Sequence, residues 1–220
     1  MIEQAVQLPS GEATLDGDLV VPDRATGMVI FAHGSGSSRH SARNRFVARE
    51  LQAAGLATLL MDLLTGDEES VDQRTAELRF DIDLLGRRVV AALDSGRAIV
   101  MPRLPLALFG ASTGAAAALV AASERPGDVA AVVSRGGRPD LAGDALPRVR
   151  APTLLLVGGD DRIVVGLNRE AQAHMSAEAR LEIIPGAAHL FEEPGALEQV
   201  ARLARDWLLH RLTPTPTSRP

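Results

Sequence analysis

The chain has 220 residues, enough for one domain with a full hydrophobic core. A hydrophobic content of 46% with 23% charged residues fits a soluble globular protein, and a net charge of −5 argues against a nucleic-acid surface. Cysteine, lysine and tyrosine are absent, which excludes disulfides, thiolate nucleophiles, Cys-type zinc sites, Schiff bases, Ser–Lys dyads and Walker-type phosphate loops.

Leu15 to Val21 reads as an edge strand, ended by Pro22 and the turn-rich stretch to Gly27. Met28 to Ala32 is an apolar strand that stops at the loop His33-Gly34-Ser35-Gly36-Ser37-Ser38. Arg43 to Ala54 places Phe46, Val47, Leu51 and Ala54 on one helical face and stops at Gly55. Ala57 to Met61 is a buried strand ending at Asp62. Gly66 to Asp72 is expected as a charged surface loop. Helix follows to about Ala98, with Leu78, Ile82, Leu85, Val89 and Leu93 at helical spacing. Leu106 to Phe109 is too short for a helix and suits a buried strand, and the alanines from Ala115 to Ala118 open a helix. Val129 to Val133, Thr153 to Val157 and Arg180 to Ile184 are further strands, with a short helix from Gly166 to Met175. Pro194 is expected to open a final helix with Leu197, Val200, Ala201, Ala204, Trp207 and Leu208 inward. Thr213 to Pro220 alternates Thr and Pro and is expected as a disordered tail, which leaves residues 1–212 as a single domain.

Buried strands alternating with amphipathic helices imply an α/β fold, a mostly parallel sheet with helices on both faces and no large cap domain. Functional loops in such sheets follow the carboxyl ends of strands. Those ends hold Gly34-Ser35, Asp62, Ser112, Arg135, Asp161 and His189. Gly110-Ala111-Ser112-Thr113-Gly114 reads G-x-S-x-G between a strand and a helix. So sharp a turn forces Ser112 into a strained conformation, presents its hydroxyl and demands glycine two positions to either side.

A serine hydroxyl needs a base, and His189, in the loop after the last strand, is the candidate. His33 precedes the glycine loop and is expected to shape it, His40 lies in polar loop sequence, and His174 and His210 fall on helices. The imidazole needs an anion. Asp160 and Asp161 both stand at a strand end, and Asp161 is preferred because the segment then reads G-x-x-D-x-x-V. Two backbone N–H groups must meet an oxyanion; Thr113, after the nucleophile, and Ser35, with Gly36 beside it, are the candidates. Arg135 and Arg138 could hold a substrate carboxylate or anchor their loop.

With these motifs in the order Ser…Asp…His, the chain resembles an α/β-hydrolase from His33-Gly34 through Ser112 to His189. The segments from Ala32 to Ser38, from Val133 to Asp140 and from Gly186 to Pro194 resemble the small capless dienelactone-hydrolase-like proteins. The chain departs from them at the nucleophile, where true dienelactone hydrolases carry cysteine and this sequence has Ser112. The resemblance implies a serine hydrolase of small or short-acyl esters, lactones or thioesters, acting through an acyl-enzyme intermediate with no cofactor and no metal. An acyltransferase or perhydrolase with the same triad, or a non-catalytic ligand-binding protein on the same fold, are the alternatives. Nucleotide binding through Gly34-Ser35-Gly36 is disfavoured, because Arg39 replaces the third glycine of G-x-G-x-x-G. The expected partner is a small-molecule ester, without nucleic acid or membrane, in a monomer or homodimer. No apolar run is long enough to span a bilayer and the N-terminus has no secretory pattern, so the expected location is cytoplasmic.

Overall fold

The computed structural model describes residues 1–99 and 104–213. Residues 214–220 of the expected Thr/Pro tail lie outside that range. Eight strands form one sheet: β1 (Ile2–Ser10), β2 (Ala13–Val21), β3 (Met28–Ala32), β4 (Ala57–Met61), β5 (Leu106–Ala111), β6 (Val129–Arg135), β7 (Thr153–Gly158) and β8 (Ala179–Ile184). Their order is β1-β2-β4-β3-β5-β6-β7-β8. β1, β2 and β4 pair antiparallel and the remaining pairs are parallel. Every residue of β3, β4, β5 and β7 is buried, the expected result for strands covered on both faces.

Among the described residues there are six α-helices: α1 (Ala42–Ala53), α2 (Gly66–Thr75), α3 (Ile82–Ile99), α4 (Thr113–Glu124), α5 (Arg162–His174) and α6 (Ala196–Leu212). One face holds α3 and α4, where Leu85, Val89 and Leu93 meet the buried alanines of α4 and the sheet side chains Met28, Ile30 and Leu108. The other holds α1 and α6, where Val47, Leu51, Val200, Trp207 and Leu208 meet Phe31, Phe109 and Val133. A 3₁₀ segment, Pro139–Arg148, packs between α4 and α5. Among the described residues no cap domain is inserted, and no helix is long and apolar enough to cross a membrane.

The structure corrects three expectations. The strand expected from Leu15 to Val21 is not at the edge, because β1 pairs with β2 along its whole length through a turn where Gly11 has φ 61°. The charged stretch from Gly66 to Asp72 is helix α2, not loop. Its start is a capping box in which the Thr65 hydroxyl accepts from the Glu68 N–H and the Glu68 carboxylate accepts from the Thr65 N–H. The final helix starts at Ala196 after Gly195, two residues beyond Pro194.

Candidate active site

The centre of the site is the turn between β5 and α4. Ser112 has φ 50° and ψ −121°, a conformation that side-chain-bearing residues rarely adopt. The flanking glycines are explained by backbone contact. A Cβ on Gly110 would lie 2.3 Å from the Ala115 Cα, and one on Gly114 would lie 2.3 Å from the His33 carbonyl oxygen. The alanine run then lets α4 lie against the sheet with Ala115 to Ala118 fully buried.

On one side of Ser112 lies the glycine loop after β3. A Cβ on Gly34 would come within 3.0 Å of the Ser112 Cβ. The Ser35 hydroxyl is 3.0 Å from the Thr113 hydroxyl, which joins the two candidate oxyanion donors side chain to side chain. Among the described residues neither Ser35 N–H nor Thr113 N–H has a partner. His33 is buried, and its Nε2 accepts from the Leu63 N–H at 3.0 Å. That leaves Nδ1 protonated, donating to the Gly34 carbonyl at 2.9 Å. Burial pushes the His33 imidazole below its ordinary pKa, against the Gly34 hydrogen bond and the charges of Asp62 and Glu69. The expected role of His33 in shaping the loop is therefore its observed one. Arg39 closes the loop through a charge-assisted bond to Asp62, with Asp16 and Asp18 at 3.5 Å.

On the other side lies the loop after β8. His189 Nδ1 is 2.7 Å from Asp161 Oδ2. Asp161 stands at the N-terminus of α5, yet its carboxylate does not cap that helix and turns to His189 instead. The Asp160 side chain is exposed, while its N–H donates to the Ala187 carbonyl at 3.0 Å. With Gly159 N–H on the Ile184 carbonyl at 2.8 Å, the acid loop is zipped by backbone to the histidine loop. Asp161 is thus the carboxylate brought to the imidazole, and Asp160 is not.

The end of β6 joins the two. The Arg135 carbonyl accepts from the Ser112 N–H at 3.2 Å. A Cβ on the next residue, Gly136, would lie 3.6 Å from His189 Cε1 and 3.1 Å from the His189 carbonyl oxygen. Among the described residues no hydrogen bond joins the Ser112 hydroxyl to the His189 ring.

The two arginines sit away from an open substrate fork. The Arg135 side chain is 7% exposed, bonded to Asn44 Oδ1 at 3.3 Å and lying over the Phe191 ring. Arg138 directs Nε and Nη2 to its neighbour Asp140, at 2.9 and 2.7 Å, and its N–H to the Ser112 carbonyl. That carboxylate bond raises the Arg138 pKa against a smaller effect of burial. Sequence reasoning missed Asn44, Phe191 and Arg79. Arg79 gives Nε to the buried Asp72 carboxylate at 2.6 Å and Nη2 to the Asp72 carbonyl, while Nη1 faces Gly36 of the glycine loop. The capping box Thr65-x-x-Glu68, which orders this segment, was the available signal.

The hollow beside Ser35 and Thr113, lined also by Leu64, Arg79 and Leu85, has an accessible volume of about 10 Å³, the size of one water. A larger hollow of about 600 Å³ lies beyond the glycine loop, against Asp16, Arg39, Asp62 and Thr65, and touches none of Ser112, Asp161 and His189. The smaller hollow likewise touches none of these three side chains. Among the described residues no three His, Asp or Glu side chains are gathered to hold a metal ion.

Residues 15–210 match the model of the Dienelactone hydrolase family. The chain belongs to that family. A dienelactone hydrolase from Anabaena variabilis has a solved structure with 59% sequence identity and a TM-score of 0.92, over 96% of this chain and 98% of that one. Est1E from Butyrivibrio proteoclasticus shares the fold at a TM-score of 0.79 with 16% identity, over 94% of this chain and 98% of that one. Two Mycobacterium tuberculosis proteins named phosphoribosyl transferase are 54% identical over 213 residues, which is 96% of this chain and 47% of theirs. The chain therefore spans about half the length of those relatives. Its fold is that of the α/β-hydrolases.

Proposed function

We propose that the protein is a serine hydrolase of small or short-acyl carboxylic esters, lactones or thioesters, with Ser112 as nucleophile, His189 as base and Asp161 as its anion. The observation that carries this reading is the His189–Asp161 pair at 2.7 Å, set beside a strained serine elbow. Ser112 Oγ attacks the carbonyl carbon as its proton passes to His189 Nε2. Asp161 holds the Nδ1–H and stabilises the imidazolium. The N–H groups of Ser35 and Thr113 take the oxyanion. Collapse breaks the bond to the leaving oxygen or sulfur, which takes the proton from Nε2 and leaves the acyl group on Ser112. Water then attacks under the same base, releases the acid and restores the hydroxyl. Among the described residues no cap domain is inserted over the strand ends, which supports an open site for small esters.

A panel of p-nitrophenyl esters of increasing chain length tests this. Short esters should be cleaved fastest, and Ser112→Ala should lose at least about a thousandfold in kcat. Undiminished cleavage by Ser112→Ala would sink the reading, and product analysis with added alcohols separates hydrolysis from acyl transfer. The name of the mycobacterial relatives brings phosphoribosyl transfer as a second reading, resting on the 54% identity alone. Release of pyrophosphate from phosphoribosyl pyrophosphate by this chain would favour it.

A further inference from the structure

Arg135 is the last residue of β6 and its side chain is buried. Among the described residues no carboxylate pairs with it, and its Nε has no hydrogen-bond partner. The charged neighbour acting on it is another cation, Arg43, itself turned to Glu192 at 3.3 Å. Burial first, and Arg43 second, push the Arg135 pKa down to about 10. A buried charge without a counter-ion destabilises a fold, and an apolar residue of similar volume generally serves packing better. Something other than packing therefore accounts for it.

The surroundings indicate what. Three elements meet at this one residue. Its carbonyl holds the Ser112 N–H, its guanidinium bonds Asn44 near the start of α1, and it lies 6.0 Å from the centre of the Phe191 ring. Phe191 ends the turn that presents His189: its N–H donates to the Ala188 carbonyl at 3.3 Å, and its φ is 56°. A residue with a Cβ is rarely stable in that conformation unless its surroundings fix it. Here the ring is buried in the core, with the guanidinium against it. The following residue, Gly136, lacks a side chain where the His189 turn rests on it. The end of β6 is a shelf with the nucleophile tied to its backbone and the base loop laid across it.

We propose that Arg135 is a positioning residue, whose unpaired planar cation holds the Phe191 turn and thereby sets His189 over Ser112. The inference rests on the reading of Ser112 and His189 as nucleophile and base. The test compares Arg135→Met, which keeps bulk and removes charge and plane, with Arg135→Lys, which keeps charge alone. In Arg135→Met the melting temperature should equal or exceed that of wild type. Its kcat on p-nitrophenyl acetate should fall about ten- to a hundredfold, as for a small misplacement of a reacting group. KM should stay within about twofold, since uniform binding is untouched. The downfield Nδ1–H proton signal of His189, assigned with His189→Gln, should shift or broaden, and Arg135→Lys should recover part of kcat. Wild-type kcat with an unmoved His189 signal in Arg135→Met overturns the proposal. So does a loss of kcat matched by a lowered melting temperature, which marks a packing residue. If Arg135→Met does not fold, Asn44→Ala serves instead: a smaller loss of kcat supports the proposal, and an unchanged kcat and signal refute it. Failure of the underlying reading is separable, because then Ser112 of wild type resists a fluorophosphonate while the His189 signal still reports on Arg135.

Discussion

The two flanks of Ser112 are held in different ways. The glycine-loop flank is dense in paired groups: both His33 nitrogens are bonded, and Arg39 lies within 3.5 Å of three carboxylates, although its buried Nε makes no hydrogen bond among the described residues. The histidine flank leaves Arg43 Nε, Arg135 Nε and Glu193 Oε2 buried without partners. On the proposed reading the first flank offers fixed N–H donors, and preorganised dipoles need no rearrangement in the transition state. The second carries an imidazole through two proton transfers. There the loop is fastened by backbone to the turn after β7, while buried polar groups stay underbonded.

Asp161→Asn strikes the histidine flank hardest. It should cost about 10⁴-fold in kcat by leaving the wrong imidazole tautomer, with little change in melting temperature; retention of more than a tenth of kcat would break the assignment. Gly114→Ala strikes the join between elbow and glycine loop. Its Cβ would stand 2.3 Å from the His33 carbonyl oxygen, and overpacking against backbone should cost about 3 kcal/mol or more in thermal or urea unfolding. His33→Ala leaves the Leu63 N–H buried and unpaired, for about 1–3 kcal/mol of stability, and should slow acylation by loosening the donors.

The same histidine gives the glycine-loop flank a pH signature. Its folded pKa lies below the ordinary 6.5, chiefly through burial, so the unfolded chain binds the proton first as pH falls. Its contribution is complete above about pH 6.5 and drains as pH falls towards the lowered folded value. Urea titrations across that range should show wild type losing stability on acidification and His33→Gln losing less; equal slopes would contradict a neutral buried imidazole. Asp160→Asn, on an exposed side chain beside the paired carboxylate, should change kcat less than about twofold and stability by less than about 0.5 kcal/mol.

Legibility in the sequence follows the same division. The elbow could be read because a strand that turns at once into a helix brings Gly110 against Ala115 only five residues on, and β3, β4, β5 and β7 because strands buried on both faces are unbroken apolar runs. β1 could not, since it lies at the sheet edge and fully buries only Leu8, with Val6 half-buried beside it, so its alternation is short. Helix α2 hid behind its charges, although its capping box was present. Asp161 and His189 could be placed at strand ends, but the choice against Asp160 depends on which side chain the zipped loops turn inward. Arg135 was legible as a residue at the site and not as a buried one. It lies within β6, two residues beyond the expected strand, on the face covered by α1 and the His189 loop.

The most direct measurement is the rate and position of fluorophosphonate labelling, read by peptide mass spectrometry, in wild type and His189→Gln. A single adduct on Ser112, formed at least about a hundredfold more slowly without the imidazole, is the expected result. An adduct on another residue, or equal labelling rates in the two proteins, would contradict the account.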